Sequence, residues 1–186
     1  MNLTWASESE QILDADGGIW AMVRQPKDED VEGLLAGLEG VSRLVVRPLF
    51  EDAVGLNWLP GARDRWGRFA VALAGRAAER LPGLRLSVMP HAEAILSDIP
   101  GTMSFLRTMP GFGLVLNPAA LLAESMRANR MDHLVRIVDT LVGHSSCEAV
   151  VVGETEGAHC DEWDREVLAA AREANRRIVV RSVSRK

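Results

Sequence analysis

Short apolar runs alternate with stretches of helical period along most of this chain. The run Gly18-Ile-Trp-Ala-Met-Val-Arg24 predicts a buried strand. After Gln25-Pro26, Val31, Leu34, Leu35 and Leu38 fall at the i, i+3, i+4, i+7 positions of a helix face, with an acid near Asp28 as the cap and Gly40 as the stop. Ser42 to Leu49 predicts a strand that is apolar through its middle, as expected of one covered on both faces. A loop with Gly55, Pro60 and Gly61 leads to a long helix over 62–81, whose inner face carries Trp66, Phe69, Leu73, Ala77 and Leu81.

The second half repeats the alternation. Strands are predicted over 84–89, 112–117, 148–153 and 177–183. Between them fall a short helix over 102–109 capped by Thr102, a partly helical stretch over 118–128, an amphipathic helix over 131–142 and a helix begun by Asp161. The first 18 residues are ambiguous: Leu3 to Ala6 fits a short strand, and Asp14 to Gly18 a turn. Strands alternating with helices imply a parallel sheet under helical cover, in a single α/β domain over 1–186. About six strand–helix units fit, whereas a closed eight-stranded barrel takes about 250 residues. The fold is therefore either a short or incomplete β/α barrel or an open doubly wound sheet.

The chain has 186 residues, a formal charge of -5 and only 4 phenylalanines with no tyrosine. Net acidity disfavours nucleic acid as a partner, and few aromatics are at hand to stack on bases. No apolar run approaches the ~20 residues of a membrane helix, and the first ten residues lack a signal pattern, so no membrane partner and a cytoplasmic location are expected. The two cysteines, Cys147 and Cys160, make no disulfide framework.

Parallel strands would present Arg24, Arg47, His91, Asn117, Glu154, Glu156 and Arg181 at their C-terminal ends. Guanidinium groups suit phosphate or carboxylate, which makes Arg24, Arg47 and Arg181, with Asn117, candidates for binding a small anion or polyol. Solvated strand-end charges are the commoner role of such arginines. His91, near Glu93, is a candidate acid/base, and Glu154 and Glu156 a candidate carboxylate pair on a Gly-flanked loop. A plain loop histidine and a solvated acidic loop are the commoner readings of both. His144, Cys147, His159 and Cys160 have the residue types of a zinc site. The pairs flank a six-residue strand roughly 20 Å long, which places them at opposite ends of it and argues against both a shared ion and a Cys147–Cys160 disulfide.

From Val41 onward the order of motifs resembles the sugar phosphate isomerase/epimerase superfamily of xylose isomerase-like TIM barrels. Leu86-Ser-Val-Met-Pro-His91 is similar to that family's Leu-Glu-Asn/Pro-His strand end, and Gly113-Leu-Val-Leu-Asn-Pro118 to its Gly-Leu-x-Leu-Asp-Pro strand. The segment from Asp161 to Val183 is similar to its last helix and strand. The resemblance implies a (β/α) barrel, short or incomplete, with its first strand or two missing. It also implies divalent-metal chemistry at the strand ends, but Met89 stands at the glutamate position and Asn117 at the aspartate position. Arg181 or Ser182 stands where a further glutamate is expected, and Val150 to Gly153 offers no histidine. A thioether and an amide are poor ligands for a hard cation. The expectation is a degenerate barrel with no metal and no cofactor that binds a small anionic or sugar-like ligand or serves as an interaction module. Its open strand edges would favour a homodimer that closes the missing side. The alternatives are an active isomerase or epimerase using His91, Glu154 and Glu156, and an unrelated open α/β structural or regulatory protein.

Overall fold

The structure, a computed structural model, describes residues 9–13, 19–23, 30–50, 59–153, 161–174 and 176–181. Seven strands form one sheet in the order of the chain: β1 (Ser9–Leu13), β2 (Ile19–Val23), β3 (Val41–Val46), β4 (Arg85–Val88), β5 (Phe112–Leu116), β6 (Cys147–Gly153) and β7 (Arg177–Arg181). β1 pairs antiparallel with β2, and every later pairing is parallel. The apolar run of each parallel strand is what the sequence pattern predicts. β1 is an addition: Ser-Glu-Gln-Ile-Leu has no strand signature of its own, and its register along β2 defines it. The stretch over 3–6 lies outside the described residues.

Five helices, α1 (Val31–Leu35), α2 (Pro60–Arg80), α3 (Ile99–Thr108), α4 (Arg130–Ile137) and α5 (Asp161–Glu173), connect the strands. Asp30, an acid neighbouring Asp28, caps α1, its carboxylate accepting the Gly33 N–H at 2.8 Å. Gly40 stands at φ 82°, a left-handed turn that feeds β3. Asp98 caps α3, accepting from Gly101 N–H at 2.6 Å. Thr102 is therefore not the cap: it lies buried within the first turn, its hydroxyl donating to the Asp98 carbonyl at 2.8 Å. The stretch after β5 folds as two short 3-10 turns, Pro118–Leu121 and Glu124–Asn129, and α4 runs on into a π-helical turn, Val138–Val142.

The two faces of the sheet differ. Ala21, Val23, Leu44, Val46, Leu86, Val88, Leu114, Leu116 and Val150 pack in one core with the buried residues of the helices, including Leu35, Trp66, Phe69, Leu73, Leu106, Leu134 and Val167. The alternate residues Trp20, Met22, Val45, Met89, Val115, Ala149 and Val151 form a second cluster on the opposite face, as the two-residue period of a strand requires. A doubly wound sheet carries helices on both faces and reverses its strand order. Neither holds here. Sequential strand order with the helices on one side makes this an open, barrel-like half, with the second cluster lining its inside.

An aromatic chain ties the outer layer together. Phe50, beyond β3, meets Trp66 and Phe69 of α2 edge-on, with ring centroids 6.0 and 5.5 Å apart. Trp66 reaches Phe105 of α3 at 6.2 Å, and Phe105 meets Phe112 of β5 at 5.4 Å. Leu73, fully buried beside this chain, is expected to cost about 2–5 kcal/mol when replaced by Ala. The same change at exposed Val71, on the opposite side of α2, should stay within about 0.5 kcal/mol; urea denaturation of both variants checks the contrast.

Candidate functional site

The C-terminal ends of β3, β4 and β5 lie side by side, and their loops are tied together by the backbone. Arg47 N–H donates to the Val23 carbonyl at 2.9 Å and Met89 N–H to the Val46 carbonyl at 3.0 Å, which extends the ladder past the strands. The loop after β4 is hooked on both sides: Ile95 N–H donates to Pro48 and Ala92 N–H to Ala120, each at 2.8 Å. Ala94, Ile95 and Leu96 of this loop are buried. These attachments hold the Met-Pro-His segment in a fixed position between its neighbours.

Three of the sequence candidates gather here. Arg47 is half-buried and follows Val46, next to Met89 in the register of the β3–β4 pair. His91 is half-buried, and its Nδ1 accepts the Glu93 backbone N–H at 3.1 Å. In the neutral ring this leaves the proton on Nε2. The described contact between His91 and Glu93 is therefore through the backbone and not through the carboxylate. Asn117 is 7% exposed, and its Oδ1 accepts the Ala120 N–H at 3.3 Å, so the side chain caps the 3-10 turn that follows β5. Arg181 lies in β7 opposite Gly153. β7 is four strands from β3, about 19 Å along the sheet, so strand position alone does not gather Arg181 and Arg47 around one small anion. Arg24, Glu154 and Glu156 lie outside the described residues.

Below these ends the inside face is filled. Met89 is 5% exposed and packs in the inner cluster with Val45, Val115, Ala149 and Val151. Its thioether acts there as apolar filling.

A buried polar cluster that the sequence reading did not single out occupies the opposite end of the same face. Arg43 of β3 is 4% exposed, with its Cζ 4.7 Å above the Trp20 ring. Its Nη1 donates to Ser87 Oγ of β4 at 2.7 Å and contacts the Glu148 carboxylate of β6, to which Ser87 Oγ donates at 2.8 Å. Three strands are thus joined through one carboxylate. Between β4 and β6, β5 places Gly113, where a Cβ would fall on the Glu148 carboxylate. Glu148 itself is the extra residue of a bulge: Leu114 pairs with Cys147 and the next residue, Val115, with Ala149.

Burial, and after it the positive charge of Arg85, push the Arg43 guanidinium down to about 10, which leaves it a cation at neutral pH. Glu148 is its counter-charge. Arg43 Nε is buried and has no hydrogen-bond partner among the described residues. The cluster sits at the N-terminal end of the parallel strands, the end that serves stability rather than chemistry in β/α barrels. Its signal in the sequence is a set of facing positions, Arg43, Ser87, Gly113 and Glu148. Each alone looks like an ordinary strand residue, and the register is needed to see them together.

His144 and Cys147 stand at the start of β6, and His159 and Cys160 lie outside the described residues. His144 Nδ1 accepts the Ser146 N–H at 3.2 Å. Cys147 is a free thiol, buried, and burial pushes its pKa up to about 11 against the opposing effect of Arg176, so it is a poor nucleophile and ligand at neutral pH. Among the described residues no group of three or more His, Cys, Asp or Glu side chains is placed to hold a metal ion. No described helix is long and apolar enough to cross a membrane. Comparison with protein-family models, with curated proteins and with solved structures finds no significant match for this chain.

Removing the counter-charge strands a buried cation, so Glu148→Ala is expected to cost about 3 kcal/mol or more. The double variant Arg43→Met/Glu148→Leu, which removes both charges, should recover most of that loss. Urea denaturation of the two singles and the double gives the coupling directly.

Proposed function

We propose that this half-barrel is a shortened, degenerate relative of the xylose isomerase-like TIM barrels that works as an interaction module and not as a metal-dependent isomerase. The strand-end motifs Leu86 to His91 and Gly113 to Pro118, the sequential parallel strands and the one-sided helices support the relationship. One observation carries the functional reading. At the two positions where the family motif has carboxylates, Met89 is packed into an apolar cluster and Asn117 holds a turn through its own Oδ1. Both side chains are committed to holding the fold, whereas a catalytic pair needs its polar atoms aimed at a reacting group.

A second reading has its own support. Arg47 and His91 follow adjacent strands; a guanidinium and an Nε2–H donor are what a small anionic ligand such as a phosphate ester requires.

Equilibrium dialysis of the purified chain against Mn²⁺, Mg²⁺ and Zn²⁺, followed by assay on pentose and hexose phosphates, tests the proposal. The expected result is no stoichiometric metal and no turnover. One bound metal per chain together with isomerisation overturns it. In the same apparatus inorganic phosphate tests the second reading: saturable binding that is lost in Arg47→Ala supports it, and no binding removes it.

A further inference from the structure

The inner face of α2 is committed to the core, while its outer face is built unlike that of a solvated helix. On a period of 3.6 residues the ridge directly opposite Trp66, Phe69, Leu73 and Ala77 reads Asp64, Arg68, Val71, Gly75 and Ala78, all exposed. Beyond Arg68 this side carries Glu79, which is paired with Arg76 at 2.9 Å, but Val71, Gly75 and Ala78 stand where charged residues are the norm. Val71 is 61% exposed, the most exposed large apolar side chain described. Beside it runs a shallow groove of about 580 Å³ lined by Arg63, Asp64, Gly67, Arg68, Val71 and Ala72.

Two features of this face have no explanation among the described residues. A Cβ at Gly61, Gly67 or Gly75 would meet nothing within 4 Å, so no packing within the described chain requires glycine there. A glycine inside a helix costs about 1 kcal/mol relative to Ala. Asp64 and Arg68 stand at i and i+4 in the favourable acid-first orientation, yet form no ion pair with each other. The exposed arginines further along α2 do pair, Arg76 with Glu32 at 3.1 Å and with Glu79 at 2.9 Å.

We propose that the outer face of α2 docks on α2 of a second copy of this chain, antiparallel, about a two-fold axis beside residue 66. Charge complementarity selects this occupant and this register. With the axis there, Asp64 faces the partner's Arg68 and Arg68 faces the partner's Asp64, one ion pair on each side of the axis. An axis at residue 68 would set Arg68 against itself. The same register sets Val71 level with the partner's Gly61 and Ala72 level with the partner's Pro60 along the helix, so small residues flank the contact on both sides. It is isologous, as a closed dimer requires.

Pairing of β7 with a second β7 is a poorer route to a dimer. Antiparallel self-pairing of β7 about Val179 would set Arg177 opposite Arg181 of the second copy, and like charges directly opposed destabilise a strand pair. One helix face is a small interface, below the range of permanent dimers, so the affinity belongs in the micromolar range.

The inference rests on the interaction-module reading, but its test separates from that of the reading. A monomer would overturn the α2 contact and leave the metal dialysis result standing. The test is sedimentation velocity of the full chain from about 1 μM to about 500 μM. Wild type should pass from monomer to dimer across this range. Asp64→Arg and Arg68→Asp should each weaken association at least tenfold, and the charge-swapped Asp64→Arg/Arg68→Asp double variant should restore it. These positions are exposed, and far-UV circular dichroism would verify that each variant is folded. A wild type that stays monomeric, or a dimer indifferent to both single changes, overturns the proposal, as does a double variant that fails to recover.

Discussion

A cation buried on the inside of the sheet constrains much of what surrounds it. Arg43 lies over the Trp20 ring, and its counter-charge, Glu148, reaches it from three strands away. That reach dictates the residues between. Ser87 must be small and able to bridge, Gly113 must lack a side chain, and β6 must bulge at Glu148 to turn the carboxylate inward. The outer core could tolerate apolar exchanges of similar volume. The Arg43–Ser87–Glu148 cluster could not, because a missing partner leaves an unpaired charge out of water. A pairing across β3, β4 and β6 also fixes their relative register, which apolar strands alone specify less firmly.

Much of the fold is legible in the sequence, since the six parallel strands coincide with apolar runs and α2 follows its hydrophobic stripe. What escapes depends on contacts distant in the chain. β1 is polar in its first three residues and is a strand because β2 offers it an edge. Thr102 has the right chemistry for a cap, but Asp98 lies four residues earlier and takes the role. Between a barrel and a doubly wound sheet the sequence has no vote, because both use the same strand–helix alternation. Strand order and the one-sided placement of the helices decide it.

The candidate site was legible only in part. Strand-end position finds Arg47, His91 and Asn117 side by side, because proximity after adjacent parallel strands follows from topology. Their roles do not follow from it. Asn117 is occupied by a turn and His91 by a backbone N–H, local hydrogen bonds that no spacing rule predicts. Met89 in its apolar cluster and Asn117 at its turn agree with each other: at these strand ends both side chains serve the fold. In the proposed account recognition then moves from the strand ends to the outside of the molecule, where α2 exposes Val71 and two unpaired charges.

The solvent accessibility of the inner face tests this account most directly. Met22 and Met89 line it at 2% and 5% exposure, while Met103, Met109, Met126 and Met131 are half-buried elsewhere. Mild peroxide treatment of the native chain, read by peptide mass spectrometry, converts accessible methionines to sulfoxides. A packed inner face predicts that Met22 and Met89 oxidise at least about tenfold more slowly than the other four, and together with them once the chain is unfolded. Oxidation of Met89 in the native protein at the rate of Met126 or Met131 would mean an open cavity at the strand ends and would contradict the account.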